Sequence, residues 1–308
     1  MDDITRISRL QSPVGTVRMV LDTDAANEID DQFALVWALL SPERLSLEAI
    51  YAAPFYADWH PGSTSPKDGM EKSYAEILKV LSLMDTPVTT PVFKGSADFL
   101  PGHGQPAADS DAVRDLIERA RQPGLLYVVC IGAITNVASA ILQAPDIIDE
   151  IVVVWLGSHA SWWPDTAEFN HMQDIPAARV IFDSGVPLIH IPCMGVSSHL
   201  ITSPEELEVS ARGSRIGDFL HEIVRDYPGR RGAGWSKVIW DISTIAWLIN
   251  GKWVPSQLVH SPIAQDDRTF SYNKDRHLIR QAYYVHRDVV FHDLFKKLAQ
   301  HAGDGVKG

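Results

Sequence analysis

Four aspartates, Asp22, Asp24, Asp30 and Asp31, fall within ten residues of one another, with Glu28 among them. Carboxylates at that density repel one another unless something positive sits between them. A hard divalent cation held through oxygen is the economical partner. A plainer account covers two of the four: Asp30 and Asp31 stand where a helix should begin, and the macrodipole favours acids there. Asp22 and Asp24 are left over. They close a short apolar run at the strand end where open α/β sheets keep their ligand crevices. The metal reading accounts for all four.

Three other segments share the pattern of an apolar run followed by polar residues. In Cys130-Ile131-Gly132-Ala133-Ile134-Thr135-Asn136 a strand breaks at Gly132, which frees a carbonyl for a cation, and Thr135 is placed to cap the next helix. In Ala167-Glu168-Phe169-Asn170, with Asp174 beyond, two polar side chains sit in what reads as a loop. In Ile239-Trp240-Asp241 an aspartate opens a late helix. Taken singly, Thr135, Asn136 and Asp241 read as helix caps, and Glu168 and Asn170 as surface residues.

Positioning these groups requires strands that end together. Apolar runs over residues 17–21, 47–52, 92–94, 125–131, 151–156 and 187–191 read as strands. They alternate with helical spacing over 30–40, 65–84, 110–120, 135–143, 175–184, 205–207 onward, 214–225 and 239–249. Such alternation predicts an α/β fold, one open and predominantly parallel (mixed) sheet with helices on both faces. A strand over 281–286 and a helix over 289–298 follow, with a disordered tail from about 302 to 308. Loops 54–66, 158–169 and 227–236 fall where an active-site rim should be. No repeat or linker divides the chain, so one catalytic domain over 1–308 is expected.

The formal charge of −12 argues against nucleic-acid binding, which needs clustered Lys and Arg. No apolar run is long enough to span a membrane, and residues 1–10 lack the apolar stretch of a secretory signal. Cys130 and Cys193 lie in apolar runs and read as buried free thiols, which suits a cytoplasmic location. Of nine tryptophans, Trp59, Trp162, Trp163 and Trp235 fall in loops and are candidates to stack on a flat ligand.

In order along the chain, DTD…DD, IGAITN, AEFN and the late Asp241 together resemble the inosine–uridine-type nucleoside hydrolases, from about residue 17 to the C-terminal helix. The resemblance implies one open α/β domain, a single Ca²⁺ at the strand ends and hydrolysis of a ribonucleoside's N-glycosidic bond. It implies that Asp24 is a metal ligand and the general base on a calcium-bound water. Asp31, Asp241 and the carbonyl of Ile131 would complete the metal site, with Asp22 supporting it from behind. Asp30, Glu168 and Asn170 would hold the ribose hydroxyls. A homo-oligomer, dimer or tetramer, is expected on the same ground.

Three departures from that family's pattern shape the substrate. The stretch between Asp24 and Asp30 is two residues longer than usual: either it bulges outward, or Asn27 or Glu28 enters the site. Trp240 stands where many members carry a histidine acid, as it does in purine-preferring members, so it either stacks on a purine and helps its departure or is core of the late helix. Two asparagines common in the family are missing. Trp59, Trp162, Trp163, His159 and Trp235 are candidates for a second stacking face or a different acid. The alternatives are a haloacid-dehalogenase-like phosphatase, similar in its D-x-D at Asp22–Asp24 but with Ala26 where a Thr is expected, and a non-catalytic nucleoside- or calcium-binding relative.

Overall fold

Runs of five to eight residues rich in Val, Ile and Leu are too short for buried helices and pair instead as strands covered on both faces. The computed structural model describes residues 1–102 and 109–305. The first half of the chain forms α1 (Asp3–Arg9), β1 (Val17–Thr23), α2 (Asp31–Leu39), β2 (Leu45–Ala52), α3 (Pro66–Leu83), β3 (Val92–Lys94), α4 (Asp111–Ala120), β4 (Leu126–Cys130), α5 (Thr135–Gln143) and β5 (Ile151–Leu156). Then come α6 (Phe169–Gln173), α7 (Ile175–Ser184), β6 (Leu188–Ile191), β7 (Ile201–Thr202), α8 (Pro204–Ser210), α9 (Arg215–Arg225), β8 (Lys237–Val238) and α10 (Ile242–Ile249). The last elements are β9 (Ser256–His260), β10 (Ile263–Ala264), β11 (Phe270–Ser271), β12 (Leu278–Ala282) and α11 (Arg287–Gly305).

Eight strands form one sheet in the order β3-β2-β1-β4-β5-β6-β12-β9. Every neighbouring pair is parallel except β12 with β9. Side chains alternate between faces, as the pleat demands. On β5, Val152, Val154 and Leu156 enter one core with Phe33, Trp37 and Trp247, whereas Ile151, Val153 and Trp155 enter the other with Val137, Ile181 and Phe182. Helices therefore cover both faces.

This order reverses between β1 and β4. The chain leaves β1 for β2 and β3 on one side, then crosses back to β4 on the other. Loops diverge at that switch and leave a crevice at the carboxyl ends of the two strands. Asp22 and Thr23 end β1, and Ile131 and Gly132 follow β4.

Some elements differ from expectation. The last core strand covers 278–282 rather than 281–286, and α11 starts at Arg287 and continues through Gly305. The tail expected to be disordered from 302 is thus helical to 305, and 306–308 lie outside the described residues. The late helix begins at Ile242, not 239, because Lys237–Val238 pairs with β7. α1, α6, β7, β8, β9, β10 and β11 are not anticipated from the sequence; most are too short for either period to register.

Candidate active site

The DTD segment ends β1 inside the protein: Asp22, Thr23 and Asp24 are all buried. Asp30 and Asp31 lie at the start of α2, a helix whose residues from Asp31 to Ala38 are all buried, as befits one apolar on every side. Asp241 occupies the corresponding place before α10. A capping aspartate normally accepts its own helix's N–H groups, yet neither Asp30 nor Asp241 does. Both carboxylates are turned elsewhere, so the macrodipole explains neither.

They turn towards each other. Ligand oxygens of Asp30, Asp31 and Asp241 lie within 4.8 Å of one another, all buried. Asp31 and Asp241 are within hydrogen-bond reach, and Asp31 also accepts from the Thr23 hydroxyl. Asp24 stands beside this trio, its carboxylate in close packing with Gly132, where an added Cβ would lie 3.0 Å from the Asp24 Cγ. Its Oδ2 is buried with no hydrogen-bond partner among the described residues, as is Oδ2 of Asp22. Asp22 is anchored from behind by Asn136 Nδ2, which donates to Oδ1 at 2.7 Å.

Burial pushes all of these acids up. Asp22 and Glu168 are raised to about 7, desolvation being the main cause in both. Asp24, Asp31 and Asp241 are raised by burial first and then by neighbouring negative charge, that of Asp31 foremost on Asp24 and that of Asp30 foremost on Asp31 and Asp241, while hydrogen bonds with Thr23 and Asp241 pull Asp31 back. Asp30 is raised less, because the Lys237 ammonium opposes its burial. Six buried carboxyls thus face one buried lysine, itself paired with Glu28.

The AEFN segment completes the pocket. Glu168 caps α6: its Oε1 accepts from Asn170 N at 2.9 Å, and its Oε2 from His171 N at 3.0 Å and Ser158 N at 2.8 Å. Ser158 adopts a left-handed backbone (φ 62°), which costs about 1–3 kcal/mol in a residue with a Cβ. Its bond to Glu168 and a hydroxyl contact to His171 Nδ1 at 2.9 Å offset that strain. Asn170 Nδ2 donates to the carbonyls of Ile131 and Leu156, both at 3.1 Å, and so ties the ends of β4 and β5 together. Far from being surface residues, Glu168 and Asn170 are 8% and 6% exposed.

A cavity of about 270 Å³ opens over these groups. Asp24, Asp30, Asp31, Asp241, Ile131, Glu168, Asn170 and Trp240 all line it, so these eight expected residues are brought together. Asn27 and Glu28 line it as well. Of the two alternatives the second holds: Asn27 and Glu28 enter the wall instead of bulging outward, and the aspartates still converge. Trp240 is partly buried, packs against the core and faces the cavity, while its backbone N–H donates to Asp30 Oδ2 at 3.0 Å.

Other expectations are corrected. Thr135 does not cap α5; its hydroxyl donates to Asp174 at 2.7 Å, and Asp174 caps α7. Among the described residues, loops 54–66 and 227–236 contribute nothing to the cavity lining, and neither do Trp59, Trp162, Trp163 or Trp235. These tryptophans stand one layer back. Trp59 packs edge-on against Phe169, Trp163 against His159, and Trp235 stacks on Tyr227 beneath Lys237. Of the loop candidates, only His159 reaches the cavity. Cys193 is a free buried thiol as expected, but it sits past β6 in a turn with Met194 and Gly195, against the cavity. That turn and Phe169 were not anticipated; the Gly after Met194, with φ 86°, is the signal that marks the bend.

Comparison with known proteins agrees with this arrangement. The family model described as inosine-uridine preferring nucleoside hydrolase matches residues 19–286. The non-specific ribonucleoside hydrolase RihC of Salmonella agona is 28% identical over 262 residues, spanning 76% of this chain and 79% of that protein. A purine-preferring ribonucleoside hydrolase from Gardnerella vaginalis shares the fold with a TM-score of 0.68 at 21% identity, over 92% of this chain and 99% of that one. A plant nucleoside hydrolase does so with a TM-score of 0.70 at 19% identity, over 92% and 98%. The phosphatase and the non-catalytic binder are left without support. With its acids, its switch-point crevice and a match over most of its length, this chain belongs to the inosine-uridine preferring nucleoside hydrolase family of N-ribohydrolases.

Proposed function

We propose that the chain hydrolyses purine ribonucleosides to free base and ribose, with Ca²⁺ as its resident ion. The observation that carries this reading is the convergence of Asp30, Asp31 and Asp241 beside an Asp24 oxygen left without a partner. Two carboxyls at hydrogen-bond distance, such as Asp31 and Asp241, need a proton or a cation between them. The donors are oxygens, which suits a hard ion. Asp24, Asp31, Asp241 and the Ile131 carbonyl would hold it. When bound, the ion supplies the positive charge that lets these acids ionise together and makes a nearby water more acidic.

Asp24 accepts that water's proton through its unpartnered oxygen. The water oxygen bonds to the ribose C1′ as the C1′–N bond breaks. Asp30 and Glu168, each with accepting capacity left over, take hydrogen bonds from the ribose hydroxyls, as does the Asn170 carbonyl oxygen. Their negative charge stabilises the oxocarbenium character that builds on the sugar. Trp240 offers its indole face to the base, which departs with a proton from solvent because an indole has none to give at useful pKa. The half-buried indole at the cavity wall supports the preference for purines.

Ribose release from a panel of purine and pyrimidine nucleosides, with and without chelator, tests this reading. Inosine or adenosine should be cleaved fastest and chelation should stop the reaction, with Ca²⁺ restoring it. Trp240→Ala should slow purine nucleosides by about tenfold, more than p-nitrophenyl riboside. Chelator-resistant turnover would refute the ion, and equal losses on both substrates would refute the stacking.

A further inference from the structure

We propose that the Lys237–Glu28 ion pair is a clasp that sets how tightly the site binds its ion, by joining the two segments that supply the carboxylates. This rests on the N-ribohydrolase reading and adds two positioning residues to it, neither of them a ligand. Asp24, Asp30 and Asp31 stand between β1 and α2, whereas Asp241 follows β8. Like charges on these acids push the two segments apart unless other contacts hold them. Two bonds cross between the segments. The Trp240 backbone N–H donates to Asp30 Oδ2 at 3.0 Å, and Lys237 Nζ donates to Glu28 Oε2 across 209 residues of chain. The second joins opposite charges.

Lys237 is held on several sides. Among the described residues it is the one buried lysine. Its Nζ also donates to Val238 O at 3.0 Å and lies 5.4 Å from the centre of the Tyr227 ring, which stacks on Trp235. β8, which carries it, is pinned by pairing with β7. An ammonium so placed has little room to move, and Glu28 is held where it is. Glu28 belongs to the longer stretch between Asp24 and Asp30 and lines the cavity, yet its oxygens are not among those that converge from Asp30, Asp31 and Asp241. The added length thus carries the acidic half of the clasp. The pair is neutral overall, so it acts on the ion through position rather than through net charge. Losing either member loosens the approach of Asp241 to Asp31, and binding must then draw the segments together at a cost in affinity.

Calorimetric titration of the chelator-treated full chain with Ca²⁺ tests the clasp without reading activity. Lys237→Met and Glu28→Gln should each weaken Ca²⁺ binding about tenfold, as loss of an outer partner of a metal site does. The double variant should bind no more weakly than either single one, because a single interaction is lost in all three. A pure charge effect has another signature: removal of the lysine would tighten binding and removal of the glutamate would weaken it. Tighter binding in Lys237→Met, unchanged binding in both single variants, or losses that multiply in the double variant overturn the proposal. Glu28→Asp keeps the charge and shortens its reach, on a side chain 38% exposed. It should also bind Ca²⁺ more weakly, and parental affinity there overturns the clasp even where Lys237→Met fails to fold. A parent that binds no Ca²⁺ overturns the ion and the clasp together, whereas parental affinity in the variants overturns the clasp alone.

Discussion

Charged groups gather at both ends of β1, partly buried at one and fully buried at the other, and the two ends are built differently. At the amino end, Arg18 holds Glu48 through Nε at 2.7 Å and Nη2 at 3.0 Å, and its Nη1 reaches the carbonyls of Pro123 and Gly124. Arg119 pairs with Asp115, which also accepts from the Tyr51 hydroxyl at 2.7 Å. Two cations meet two anions there. At the carboxyl end, six buried carboxyls face one lysine, and two of their oxygens have no partner. A balanced network is complete as folded and serves the fold. An unbalanced one stores unfavourable free energy in the absence of a ligand, because buried unpaired acids must take up protons. The two regions differ in depth and, with more consequence, in the charge left over.

The contrast can be tested hardest at the carboxyl end. Asp24→Asn should lower kcat by about 10³-fold, within the range for loss of a general base, while the fold stays intact. A rate close to that of the parent would take the proton-accepting role away from Asp24. Stability against pH gives a smaller effect with a definite sign. Asp22 and Glu168 have folded-state values near 7, above their ordinary 3.8 and 4.5, so the stability they contribute is present at low pH and lost as pH rises through about 7. Chelator-treated protein should therefore melt at progressively lower temperature from about pH 4 to about pH 8, and Ca²⁺ should reduce that fall. A melting curve independent of pH would contradict the uncompensated acids. At the amino end the effect should be smallest. Glu48→Gln should cost about 1 kcal/mol, or about 2–4 °C in Tm, and leave kcat unchanged. A drop in kcat there would mean that the two ends of β1 are coupled.

The chemistry was legible where residue type and order were enough. Four aspartates around a strand end and the glycine break at Gly132 pointed to oxygen ligation, the sugar came from the resemblance that the AEFN run helps to carry, and the structure brings these segments to one cavity. Strands of Val, Ile and Leu and helices with clear periodicity were likewise readable, because burial on two faces imprints composition. Short elements such as β7 and β8 were not, since two residues carry no period. Nor did the sequence say which loop aromatics touch the ligand: Trp59 and Trp163 look equivalent to His159 until packing sets them behind the wall.

From the amino-acid order alone came the set of acids and the parallel α/β plan, because repulsion and hydrophobic periodicity are local and can be summed along a chain; the family's chemistry came with the resemblance that the motif order carries. Only the tertiary structure decided that Asp30 and Asp241 leave their helix ends uncapped to meet Asp31, that Asn27 and Glu28 join the wall, and that His159 reaches the cavity where the loop tryptophans do not. Those outcomes depend on distances between segments more than two hundred residues apart, which the packing of helices on both faces of the sheet sets and no local pattern encodes.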